Sequence, residues 1–197
     1  MKNIRAIIVF LAFLGISFNA YSNTTIKGVE VLDSVQYKGK DIPVKGMGVR
    51  KMLINLYVSS LYSDEQTAAD IIQSTKPQVL KIVVLSSLVS SKKMTNAFNK
   101  SFKKLLPAKS NQDELEKLIA DFFVGFEQKS QKGEIFEFKA ANGVVELFRN
   151  NKFILSVNSQ DFKELLFEVW FTDYKGVDKK LQNDLLGIQP YKTFKIK

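Results

Sequence analysis

Apolar runs at the start of the chain, apolar residues at helical spacing in its middle, and apolar runs again further on divide it into predicted elements. From Ile26 to Tyr37 the residues predict strand. Lys38-Gly39-Lys40 predicts a turn, and Ile42 to Val44 a short returning strand in which Pro43 marks an edge position. Gly46 to Tyr62 (GMGVRKMLINLYVSSLY) reads as a glycine-flanked turn followed by one long apolar strand. A polar stretch then leads into a short helix from Thr67 to Gln73, capped by Ser63 or Asp64 and ended by Lys76-Pro77. Val79 to Ser87 (VLKIVVLSS) is apolar enough to be a central strand.

The middle of the chain changes period. After a cap at Ser90 or Ser91, Met94, Phe98, Phe102 and Leu105 fall at helical spacing, and Pro107 ends the helix. Asn111 opens a second helix with Leu115, Leu118, Ile119, Phe122, Phe123 and Phe126 on its inner face and Glu114 placed for a capping box. Three strands follow, Glu134 to Lys139, Gly143 to Arg149 and Lys152 to Val157, joined by tight turns at Asn142-Gly143 and Asn150-Asn151. Ser159 caps a helix bearing Phe162, Leu165, Leu166, Val169 and Trp170, and a last helix from Asp178 to Leu186 stops at Gly187. Strands first, then helices, then a meander and a helix predict an α+β domain: a largely antiparallel sheet with helices packed on one face. The phenylalanines and Trp170 read mainly as core, and Arg149, beside a turn, as a surface residue.

Before this domain stands a predicted leader. Lys2 and Arg5 precede a thirteen-residue apolar run, Ala6 to Phe18, too short to span a bilayer comfortably, and Ala20-Tyr21-Ser22 offers small residues for a signal peptidase. Cleavage after Ser22 makes residues 1–22 a signal peptide and 23–197 a single domain, periplasmic or secreted. No cysteine follows the apolar run, which excludes a lipoprotein anchor at this site.

Composition narrows the chemistry. The net charge of +9 comes from 26 lysines and three arginines against 20 acids, and falls to +7 without the leader. The lysines are scattered among the acids, which predicts a solvated surface and no nucleic-acid partner, and leaves a weak attraction to anionic membrane surfaces. Cysteine and histidine are both absent. That removes most zinc and copper sites, the Ser-His-Asp arrangement and every Cys-His nucleophile. Neither calcium-loop spacing nor a phosphate-cradling glycine loop occurs, so no metal and no cofactor is expected.

Arg50 stands out, because an arginine inside an apolar segment of so lysine-rich a chain suggests a need for a planar, bidentate, permanently charged group. With G-x-G-V-R before it and Y-V-x-x-L-Y after, the segment resembles the chalcone isomerase-like family, and the order of the remaining elements agrees with that family's bacterial periplasmic branch over roughly Val29 to Gly187. The resemblance implies a curved sheet with a ligand cleft between sheet and helices. In the family's plant fatty-acid-binding members an arginine and a tyrosine of this segment hold the carboxylate, and those positions match Arg50 and Tyr57 here, with Tyr62 on the last tyrosine. In true isomerases the Tyr57 position looks like a catalytic threonine. Lys93 matches an isomerase lysine, but Ala97 falls on its asparagine and Ser90 on its tyrosine. Phe171-Thr172-Asp173-Tyr174 also departs from the relatives' W-L-G-D-x-P.

These residues imply a non-catalytic binder of a small amphipathic carboxylate such as a fatty acid, with Arg50, Tyr57 and Tyr62 as ligand-binding residues, Lys93 as a further candidate and none assigned a catalytic role. The alternatives are an isomerase or lyase using Arg50 as oxyanion stabiliser, and a structural envelope protein in which Arg50 is tied to an internal acid. On one regular strand Arg50 and Tyr57, seven residues apart, would face opposite ways, whereas Arg50 and Tyr62, twelve apart, would share a face; either a bulge or bend near Asn55 turns Tyr57 toward Arg50 or Tyr57 does not face it, and both tyrosines stay candidates.

Overall fold

In the computed structural model the described residues are 23–126, 130–172 and 178–188. The predicted leader lies outside them, as do Asp173 and Tyr174 of the departed motif. A small antiparallel pair, β1 (Thr24–Ile26) and β2 (Val29–Val31), precedes a curled seven-stranded sheet. The sheet's strands are β3 (Ser34–Tyr37), β4 (Lys40–Lys51), β5 (Asn55–Tyr62), β6 (Gln78–Val84), β7 (Ile135–Ala141), β8 (Val144–Arg149) and β9 (Lys152–Asn158), in sequence order and all antiparallel. The apolar β6 is the middle strand, as its composition predicts. The stretch from Ile26 to Tyr37, expected as one strand, is broken by Lys27 and Gly28, both at positive φ (51° and 78°).

The largest departure lies in Gly46 to Tyr62. This segment holds the end of β4, a turn at residues 52–54 and the whole of β5. The expected turn at the glycines does not exist. Gly46 and Gly48 are strand residues kept free of side chains by α5 (Lys179–Leu185), which packs against β4. A Cβ on Gly46 would overlap the backbone oxygens of Asp184 and Leu185, and one on Gly48 would come within 2.7 Å of the Asp184 Cβ.

Helices cross over one face. α1 (Ala68–Gln73) links β5 to β6; α2 (Ser91–Leu105), a single 3-10 turn and α3 (Gln112–Val124) link β6 to β7; α4 (Gln160–Phe171) follows the meander. Caps fix where they start. Ser90 Oγ accepts from the Lys93 N–H and Ser159 Oγ from the Phe162 N–H, each cap contributing about 1 kcal/mol. For α1 the cap is Thr67, in a complete capping box with Asp70, and not Ser63 or Asp64. For α3 the expected box is missing, because the Asn111 side chain donates to Asp161 instead.

Between the helices and the sheet sits the main core, where Phe98, Phe102, Phe122, Phe126, Phe138, Phe162 and Trp170 interlock at ring-centroid separations of 5.2–6.5 Å. A second, smaller core forms on the opposite face, where Ile26 and Val31 of the β1–β2 pair cover Tyr37, Ile42, Val58 and Tyr62. Two buried cations were not legible beforehand. Arg149, expected at the surface, is only 6% exposed and donates from Nε to Glu134 Oε1 at 2.7 Å. Glu134 immediately precedes β7, at the end of the β7–β8 ladder away from their turn, and the two side chains form a buried ion pair. Lys163, 1% exposed, donates to the carbonyls of Ile71 and Ile72 at 2.6 and 2.7 Å and so satisfies the end of α1.

Candidate functional site

The β4–β5 hairpin builds the site. Its register sets Arg50 directly opposite Tyr57, and Tyr57 opposite Val84 of β6. Directly opposed residues share a face, so all three look toward the helices. The seven-residue separation in sequence is thus spent going around a turn, and the parity expected of a single strand is reversed. Tyr57 shares the Arg50 face. Tyr62, paired with Val44 and Val79, lies on the other face, fully buried beneath the β1–β2 pair and away from Arg50. The structure therefore brings together Arg50, Tyr57 and Lys93, and leaves Tyr62 out.

These three line a cleft of about 420 Å³ between the hairpin and the start of α2. Leu56 and the turn residues Met52, Leu53 and Ile54 form one wall, and Leu88, Val89, Met94 and Ala97 the other. A smaller hollow of about 70 Å³ shares Tyr57, Met94 and Ala97 with the cleft and is lined also by Phe98, Ser101, Val169 and Trp170. The lining of the 420 Å³ cleft is apolar apart from Arg50, Lys93 and the Tyr57 hydroxyl. A volume of this size falls in the range of small-molecule sites, about 300–1,000 Å³. A second depression of about 530 Å³ beside the β1–β2 pair mixes Val29, Leu32, Val83, Leu85 and Ile135 with Lys27, Lys81 and Lys132.

Arg50 already has an anionic partner. Its Nη1 donates to Asp178 Oδ2, the only hydrogen bond to this guanidinium among the described residues. Asp178 was recognisable in sequence as the start of the last helix but not as a partner. Its Oδ1 accepts from the Leu181 N–H at 2.8 Å, so one carboxylate both caps α5 and pairs with Arg50. The pair is open to solvent, with the Arg50 side chain 23% and the Asp178 side chain 40% exposed. Burial pushes the Tyr57 phenol up to about 12, against the pull of the Arg50 charge and the Trp170 indole. The hydroxyl therefore stays protonated and able to donate. The Trp170 N–H, buried and without a full hydrogen bond, is its polar neighbour.

Ala97 contributes only a methyl group to the cleft wall, and Ser90 is used as the cap of α2. The arrangement can bind and orient an anion with an apolar tail.

Comparison with known proteins bears on the family and the fold. A search of curated proteins found no match. Among solved structures, the crystal structure of an Arabidopsis thaliana fatty-acid binding protein superposes with a TM-score of 0.67 at 16% identity, over 83% of this chain and 95% of the other, which is a likeness of fold. The family model described as chalcone isomerase-like matches residues 23–187, the span that contains the curled sheet, its helices and the Arg50 cleft, and the chain belongs to the chalcone isomerase-like family.

Proposed function

We propose that this protein binds an amphipathic carboxylate of the fatty-acid class, the head group held by Arg50 and Tyr57 and the tail lying in the apolar cleft. One observation carries the reading: the hairpin register that sets a guanidinium beside a protonated phenol on the wall of an apolar cleft of about 420 Å³. A bidentate cation and one phenolic donor match the acceptors of a carboxylate. Such charge-assisted bonds contribute about 1.5–3 kcal/mol, and each buried methylene about 0.8 kcal/mol, so the tail dominates affinity while the head sets orientation. The structural likeness to a fatty-acid binding protein supports the ligand class. Lys93, at the mouth, supplies a second cation for the head group. Export to the periplasm through the leader, and a weak contact with an anionic membrane surface, belong to the same reading.

The test is mass spectrometry of lipids extracted from the purified protein, with calorimetric titration of dodecanoate into wild type, Arg50→Ala and Tyr57→Phe. Arg50→Ala should weaken binding by about 10- to 150-fold, the range set by one charge-assisted contact. Equal affinity in wild type and Arg50→Ala refutes the assignment.

The Arg50–Asp178 pair favours a second reading, in which Arg50 only ties α5 to the sheet and the protein acts through its surface. It predicts that no carboxylate binds and that Arg50→Ala costs stability alone. The hollow beside Arg50 speaks against it. Catalysis of an isomerase type is disfavoured by Ala97 and Ser90.

A further inference from the structure

The β4–β5 turn is apolar and bare. Leu53 is 98% exposed, Met52 68% and Ile54 43%, and Leu88 of the β6–α2 loop, across the cleft mouth, is 55% exposed. Turns usually carry polar residues, glycine or proline, and apolar side chains projecting together from two loops mark an interaction surface. The charge beside them is one-sided. From Ile71 to Gln112 the chain has eight lysines and no acid. Five of these lie exposed along α2, namely Lys92, Lys93, Lys100, Lys103 and Lys104. Lys92 and Lys93 stand in the first turn of α2, where the helix dipole disfavours cations, while α1, α3 and α4 all carry acids in that position. Helix-end electrostatics therefore works against these lysines, which points to a use outside the fold.

We infer that this end of the molecule docks on an anionic lipid bilayer, with Met52, Leu53, Ile54 and Leu88 entering the headgroup region and the α2 lysines lying over the lipid phosphates. Apolar insertion combined with clustered lysines is the chemistry that recognises such a surface. Asp178, the acid at the cleft mouth, is neutralised by Arg50. The mouth opens between the two apolar loops, so a docked protein would face its cleft to the membrane, and an amphiphile could pass between bilayer and cleft without crossing bulk water. The docking surface stands on the exposed loops and lysines themselves; the transfer route rests on the carboxylate-binding reading.

The experiment is co-sedimentation of the purified protein with vesicles free of fatty acid, either pure phosphatidylcholine or phosphatidylcholine containing phosphatidylglycerol. Binding is expected to the anionic vesicles only and to fall with added salt. Each lysine close to an anionic surface is worth about a factor of five, so Lys92→Glu with Lys100→Glu should lower partitioning at least about tenfold. Leu53→Ser, at a site with nothing packed on it to disturb the fold, should lower it as well. Equal partitioning into both vesicle types, no binding to either, or binding untouched by these substitutions overturns the inference. So does a concentration-dependent dimer abolished by Leu53→Ser, which would assign the loops to a second copy of the chain. The vesicle assay contains no carboxylate ligand, so its failure and that of the carboxylate titration can be told apart.

Discussion

Asp178→Asn should make this protein a better carboxylate binder, which is unusual for removal of an ion pair. In the unliganded protein Asp178 Oδ2 occupies one Nη1 of Arg50, and an incoming carboxylate must displace it or share the guanidinium. With side chains 23% and 40% exposed the pair is well solvated, and pairs of that kind are worth about 0.2–1 kcal/mol. Removing this competition should raise affinity by about 1.4- to 5-fold. Asparagine is as good an N-cap as aspartate, so the bond from the Leu181 N–H, 2.8 Å in the native protein, can be kept and α5 should stay in place. The lost charge at the start of the helix costs about 0.3–1 kcal/mol, which a denaturation midpoint would register as a small drop. Calorimetric titration with dodecanoate reads the gain. Its methyl ester, lacking the carboxylate, should show none, and in an Arg50→Ala background Asp178→Asn should change nothing. An unchanged or weaker dodecanoate affinity, or an equal gain for the ester, would refute the claim that Arg50 is the anion site.

Gly46→Ala should destabilise by about 1–3 kcal/mol in urea denaturation, since its Cβ meets the backbone of α5 rather than a yielding side chain; a neutral result would mean that α5 packs loosely. Arg149→Met should cost about 3–5 kcal/mol by leaving Glu134 buried and unpaired, and Arg149→Met with Glu134→Leu should recover much of it; no recovery would contradict the pairing account. Because burial raises the Tyr57 phenol from 10.0 to about 12, its contribution to stability is complete below pH 10 and is lost as pH rises through 12. Wild type should therefore lose stability relative to Tyr57→Phe across that window, measured by denaturation at successive pH values, and parallel curves would show that the phenol is not buried as described.

Periodicity and turn chemistry carried much of the architecture. The meander of β7, β8 and β9 was legible because Asn142-Gly143 and Asn150-Asn151 take the positive φ angles that tight hairpins demand, and few other residues do so cheaply. Serine caps at Ser90 and Ser159 announced α2 and α4 because the helix start depends on a bond within three residues. Composition excluded thiol and imidazole chemistry outright, and the scarcity of arginine singled out Arg50.

Tertiary structure decided the rest. The β4–β5 turn is written in Met52, Leu53 and Ile54, residues that announce strand, so the segment read as one strand, regular spacing set Tyr62 rather than Tyr57 on the Arg50 face, and only a bend near Asn55 could reverse that. Gly46 and Gly48 looked like turn residues because the reason for their missing side chains, the backbone of α5 at Gly46 and its Asp184 and Leu181 side chains at Gly48, lies more than 130 residues away in the chain. Asp178, 128 residues from Arg50, has the same character, and Glu134, though only 15 residues before Arg149, reaches it only through the pairing of β7 with β8. Local signals report what a residue does to its own backbone; which face it occupies and which charge it meets are set only when distant segments pack together.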